Sequence, residues 1–289
     1  MSNRRRTVDH MDTTSPSTER FICVGCGTQH SSSEAPPAVC VICSDDRQHV
    51  ADGGQRWTTH EALAAEYSNR IEVDGDLLGV GLTERFAIPQ RALVAAGDVR
   101  ILWDCVSLVT DDAVEAVRAH GGIDAIAISH PHFYSSMVEW SDAFGGIPIY
   151  LHRADETWVQ RRSRNIVWWS GDDLELSSTV RLVHLPGHFP GSAALHWSDG
   201  PGHKQLLLAG DSLHVAADRA HVTVMHSVPN YIPVGPGVIA DIRSRLAGVK
   251  FDDLYGFTWN LNIIGGARDA VDRSFDRYLH HVGVPAAAF

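Results

Sequence analysis

Nowhere does the sequence stay apolar for the roughly 20 residues that a bilayer-spanning helix requires. That excludes a helical membrane anchor within the chain. Cations are also in short supply: 24 Lys and Arg stand against 35 Asp and Glu, a formal net charge of -11. A surface of that sign argues against nucleic acid as the main partner. "RRR" at 4–6 is followed by no apolar stretch before Phe21. A secretory signal is therefore not expected, and the cytoplasm, where thiols stay reduced, is the expected compartment. No internal repeat of fixed period is present. Apolar residues are not lacking. They make up 44% of 289 residues, enough for one large domain, alone or with a small appendage.

Cysteine is scarce, and its placement is informative. Of five, Cys105 stands alone in an apolar segment and reads as a small buried hydrophobe. The others form Cys23-x2-Cys26 and Cys40-x2-Cys43. Two residues between cysteines let both sulfurs turn to one point, and two such knuckles give four thiolates around a tetrahedral Zn²⁺. The competing reading is a pair of disulfides, which a reducing compartment disfavours. Four sulfurs leave no open position, so this zinc is expected to be structural. Residues 21–50 thus read as a zinc ribbon that stabilises its segment or offers a docking surface. Residues 1–20, polar and aperiodic, read as a disordered tail.

In the domain from residue 51 onward a short helix is expected from Thr58, and after Gly75 short strands follow, in "LLGVGLTERFAIP" and "RALVAAGDVRILWDC". Strands then alternate with helices. "TTHEALAAEYSNR", capped by Thr58 or Thr59, "DDAVEAVRAHGG", "SSMVEWSDAFG", "PVGPGVIADIRSRLAGV" and "GARDAVDRSFDRYLHHV" read as helical. The class is layered α/β (α+β), with ligand groups on loops at strand ends.

Three of those strand ends carry chemistry. "IDAIAIS" delivers His130-Pro131-His132, and alternate side chains of an extended segment can both reach one metal. "VRLVHLPGH" delivers His188. "QLLLAGD" ends on Asp211, a carboxylate costly to bury unless it is paired or bound to a cation. H-x-H is a weak signal among 17 histidines. The ordered set of strand-H-x-H, strand-PGH and strand-GD is far more specific.

On these residues the segment from about Gly75 to the C-terminus resembles the metallo-β-lactamase superfamily. "SHPHFYSSMVEW", "PGHFPGS" and "GDSL" are similar to bacterial hydrolase-like proteins of that superfamily, some with an N-terminal zinc ribbon. The resemblance implies an αββα sandwich with metal at one edge of its two sheets. His130, His132 and His188 would be ligands, Asp211 the bridging carboxylate, and Asp104 an acid behind the ligands. The departures are as informative. The superfamily's H-x-H-x-D-H places Tyr134 and Ser135 here where an Asp and a His are usual. Its last histidine has no counterpart in "LYGFTWNLNIIGG". The loss falls on one metal position alone, which implies a mononuclear centre of His130, His132 and His188 with Asp211. Three histidines and an open position form a catalytic zinc arrangement that activates water near neutral pH.

Asp211 and Tyr134 are the catalytic candidates, Asp211 to position water and Tyr134 to donate to a developing oxyanion or to ligate as phenolate. A packing role for Tyr134 is the alternative. Glu139 lies near, but Ser136-x-x-Glu139 reads first as a capping box. His152 suits a supporting role. His184, His196, His203, His214 and His221 are not read as ligands, although His214 is close enough to Asp211 to face the pocket. Trp168, Trp169 and Trp197 read as core or pocket wall.

The leading expectation is a hydrolase of a small-molecule ester, thioester, lactone or amide, using Zn²⁺. One alternative is a mononuclear Fe²⁺ enzyme of oxygen or sulfur chemistry on a triad of His130, His188 and Asp211. Another is a non-catalytic binding protein on the same scaffold. The expected partner is a small-molecule substrate, not nucleic acid or membrane. Homo-oligomerisation, or protein docking through the ribbon, stays open.

Overall fold

A computed structural model describes residues 18–284. Most of the tail expectation, residues 1–17, lies outside them. Of the rest, Glu19 already forms a bridge to Ser33, and Arg20 reaches Glu139.

Two sheets face each other. The first has seven strands, each beside its sequence neighbour: Asn69–Asp74, Leu77–Leu82, Ala92–Ala96, Arg100–Trp103, Ala125–Ala127, Ile149–His152 and Ile166–Trp169. It is antiparallel up to Arg100–Trp103 and parallel thereafter. The second has six: Asp173–Glu175, Val180–His184, Ala193–Trp197, Leu206–Gly210, Asp253–Gly256 and Asn262–Ile263.

The strand period of two builds the layers. In the first sheet Leu93, Ala95, Ile101 and Trp103 point inward, meeting Leu195, Leu206 and Leu208 of the second. Their neighbours Val94, Leu102 and Ile126 point outward onto α2 (Asp111–Ala119) and α3 (Met137–Ala143). On the opposite side Leu207, Ala209 and Leu254 pack on α4 (Pro236–Leu246) and α5 (Ala267–His281). Each fully buried Leu contributes about 1.5–3 kcal/mol. The result is the expected αββα sandwich.

Two helix readings change. α1 spans only His60–Glu66, with Thr59 as its cap; the expected continuation through Arg70 ends at the C-cap Tyr67, and strand begins at Asn69. Pairing of Asn69–Asp74 with Leu77–Leu82 wins there, helped by the Asn69 amide, which donates to Gly81 and Leu108 carbonyls. The Ser136–Glu139 capping box does not form. Ser136 Oγ donates to the Ser107 carbonyl at 2.6 Å, and Glu139 pairs with Arg161 at 2.8 Å.

The cysteine-bearing segment is fastened to this sandwich. Its strand Phe21–Cys23 pairs with Trp57–Thr59, so its closure extends beyond residue 50. Gln29 N–H donates to Ser135 O, and the Ser107 hydroxyl donates to Gly27 O.

Candidate metal centres and the cavity between them

The four paired cysteines converge. Cys23 and Cys43 Sγ lie 3.5 Å apart, Cys26 and Cys40 Sγ 3.6 Å, and all four are buried and free. Four ligands about 2.3 Å from a tetrahedral zinc stand roughly 3.7 Å apart, so the group fits such an ion without rearrangement. No pair is at the bonding distance of about 2.05 Å. Gln55 Nε2 donates to Cys23 Sγ at 3.0 Å, a contact suited to a thiolate. Hydrogen bonding from the neighbouring thiols pulls the Cys23 and Cys40 thiols down.

At the strand ends the second group assembles. His130 and His132 follow Ala125–Ala127, His188 follows Val180–His184, and Asp211 follows Leu206–Gly210. All four are buried, and one ligand atom from each lies within 4.8 Å of every other. His188 Nε2 is 3.0 Å from His132 Nδ1 and 3.8 Å from Asp211 Oδ2. Two nitrogens of a tetrahedral zinc site stand roughly 3.3 Å apart. Burial lowers the pKa of all three imidazoles, keeping them neutral as metal ligation demands.

Supporting contacts fix which atoms face inward. His188 Nδ1 donates to Met225 O at 3.0 Å, which leaves Nε2 its lone pair. His130 Nδ1 bonds Ser129 Oγ at 2.9 Å, and its Nε2 is buried with no partner among the described residues. His132 Nε2 is likewise orphaned. A buried ring nitrogen without a partner is costly, and a cation in this cluster would satisfy His130 Nε2, while His132 faces the cluster through Nδ1. His214 Nδ1 holds Asp211 Oδ1 at 2.9 Å.

Asp104 stands behind, as expected of it. Its carboxylate accepts the Ser129 N–H at 2.7 Å, and burial pushes its pKa up to about 7. Its φ of 62° is a left-handed conformation, costing on the order of 1–3 kcal/mol. Gly210 allows the close approach: its φ is 54°, and a Cβ there would lie 2.4 Å from Ser129 Oγ.

Tyr134 is placed elsewhere. It is buried in the apolar layer with Val106, Met137 and Trp140, and burial drives its phenol well above its usual pKa. A phenolate ligand is therefore disfavoured, and the packing alternative describes it. Ser135 is tied by Gln90 Nε2 on its Oγ. In the segment that lacks a histidine, Phe257 lies 5.5 Å from the Phe133 ring and 5.2 Å from the His214 ring. Glu139 belongs to the contact between the cysteine segment and α3. His152 stacks on His184 at 4.0 Å, beside Trp169. Trp169 and Trp197 are core.

Beside the histidines opens a cavity of ≈ 330 Å³. His132, His188 and Asp211 form its floor. Ala87, Ile88 and Pro89 form one wall, Val228, Pro229 and Phe257 another. Arg85 also lines it, as do Gly25, Gln48 and His49 from the cysteine segment. Sequence reasoning missed this use of the segment. Its residues approach the site only across space, and no spacing encodes that.

No family model matches the chain. It is 39% identical over 263 residues to the Bacillus subtilis (strain 168) protein YmaE, described as uncharacterized, across 90% of this chain and 95% of YmaE. Among solved structures, the DIM-1 metallo-β-lactamase exposed to ceftazidime matches 73% of this chain and 98% of its own at TM-score 0.51 and 12% identity. A B3 metallo-β-lactamase with an active-site glutamic acid matches 73% and 88% at TM-score 0.49 and 16% identity. Likeness at such identity is one of fold. No helix among the described residues is long and apolar enough to cross a membrane.

Proposed function

The chain belongs to the family of YmaE and has the metallo-β-lactamase fold, and on that footing we propose that it is a metal-dependent hydrolase of a small-molecule ester, thioester, lactone or amide. The observation that carries this reading is the convergence of His130, His132, His188 and Asp211 on the floor of a walled cavity. In this reading those four residues hold one cation, Zn²⁺ or Fe²⁺, and Cys23, Cys26, Cys40 and Cys43 hold a structural Zn²⁺.

A divalent cation in the open site supplies Lewis acidity toward a substrate carbonyl and makes water acidic enough to react near pH 7. The chain's own residues do the rest. Asp211 is the sole carboxylate on the cavity wall among the described residues. Held on Oδ1 by His214, it turns Oδ2 toward the ligand cluster, where it can orient water and accept its proton. Ile88, Val228 and Phe257 give an apolar lining that limits competing water. A single cation is favoured because the positions of a second are otherwise occupied. Ser135 is bound by Gln90, Tyr134 lies in the core, and the segment around Phe257 carries no histidine.

Metal content per chain in wild type and His130→Ala, alongside turnover of a panel of esters, thioesters, lactones and amides, tests the proposal. Two ions falling to one, with loss of turnover, is expected. One ion, unaffected by His130→Ala, overturns it.

A further inference from the structure

The loop Pro186–Gly191 carries a ligand but little backbone ladder. Among the described residues the main-chain carbonyl of His188 has one donor, Arg47 Nε at 2.6 Å. Arg47 lies four residues beyond Cys43, on the segment that leaves the second cysteine knuckle. Its guanidinium is 4.7 Å from the Phe189 ring centre and 5.8 Å from that of Trp158, and Asp45 balances its charge at 2.7 Å. Its side chain is only 15% exposed. The Arg47 carbonyl in turn accepts from Ser227 Oγ at 3.0 Å. Ser227 lies two residues from Met225, whose carbonyl holds His188 Nδ1. His188 is thus gripped at its backbone by Arg47 and at its ring by a strand to which Arg47 is also bound.

We infer that Arg47 is a positioning residue for the metal ligand His188, so that the cysteine module, through Arg47, sets the metal affinity of the histidine site. The inference rests on the reading of His130, His132, His188 and Asp211 as metal ligands. Residues behind a ligand fix its direction, and losing one costs about 10–100-fold in metal affinity. Arginine suits the task because its planar fork donates at Nε while its face stacks on Phe189. Lysine can keep the charge but not both contacts.

Cobalt titration of the full-length protein separates the sites, since a thiolate-ligated Co²⁺ gives an intense charge-transfer band and a histidine-carboxylate site gives weak d–d bands. Arg47→Ala is expected to keep the thiolate band and to bind Co²⁺ at the histidine site about 10-fold or more weakly. Arg47→Lys should fall between it and wild type. Asn230→Ala removes two other tethers of the segment, to the Asp46 and Gln48 carbonyls, and should leave the affinity unchanged. Wild-type affinity in Arg47→Ala overturns the inference, as does an equal loss in Asn230→Ala. Should Arg47→Ala not fold, wild-type affinity in Arg47→Lys overturns it equally. A wild-type protein taking no metal at the histidines would overturn the proposed function along with it.

Discussion

The two ligand clusters share burial and converging donors, but their surroundings differ. The sulfurs of Cys23, Cys26, Cys40 and Cys43 converge on one another, and none lines the cavity. Sulfurs complete that shell, so any ion there acts on folding. His132, His188 and Asp211 open onto ≈ 330 Å³ of space, and the contacts of His188 to Met225 and of Asp211 to His214 aim those two into it. A closed shell spends its binding energy on holding its segment. An open one keeps part of it for a substrate. The contrast also shows a dependence: Gly25, Gln48 and His49 of the closed cluster's segment wall the open one.

Removing a thiolate should give the largest effect. Cys40→Ser is expected to cost on the order of 5 kcal/mol and to lower the melting temperature by about 10 °C or more, as thermal unfolding would show. A change under 2 °C would mean that the cysteine cluster does not organise its segment. His188→Ala should act the other way round. Turnover drops by about 10³-fold, roughly 4 kcal/mol of barrier, while one metal ion and the far-UV circular dichroism persist. If both ions leave together, the clusters are not separable as described.

Gly210→Ala probes the support behind the histidines. With φ 54° and Ser129 Oγ in the way, it should cost about 1–3 kcal/mol in denaturant unfolding. A neutral result would show that Ser129 and Asp104 yield readily.

The smallest effect concerns Asp155, whose carboxylate accepts the Gly191 N–H at 2.7 Å beside the His188 loop. Burial raises its pKa to about 7. The folded protein thus holds a proton that the unfolded chain releases near its ordinary 3.8. Stability from this group is greatest below 3.8 and falls as pH rises toward about 7. Asp155→Asn should flatten that slope and raise stability at pH 8, measurable by urea unfolding at pH 5 and pH 8. An unchanged slope would remove Asp155 from the account.

Much of this was legible in one dimension. The apolar runs "LVAA" and "LLLAG" mark buried strands, because a strand between two layers must be apolar on both sides. Cys23-x2-Cys26 with Cys40-x2-Cys43, and the order of His130, His132, His188 and Asp211, reveal both clusters, because ligand chemistry constrains type and local spacing. The capping box was misread for a physical reason. Ser136 and Glu139 satisfy a local pattern, but Ser107 and Arg161 offer partners that only folding brings near. Tyr134 stays open in the sequence, since a residue at a helix start can face core or cavity with equal local ease.

What the sequence determined alone is the set of donors and the number of centres: soft sulfurs in one, imidazoles and a carboxylate in the other. What only the tertiary structure decided is how the centres relate. Arg47 meets His188 across 141 positions of sequence, and His49 meets the cavity wall, by no local rule. Contacts that distant depend on how layers and loops pack in three dimensions, and that packing is a property of the whole chain.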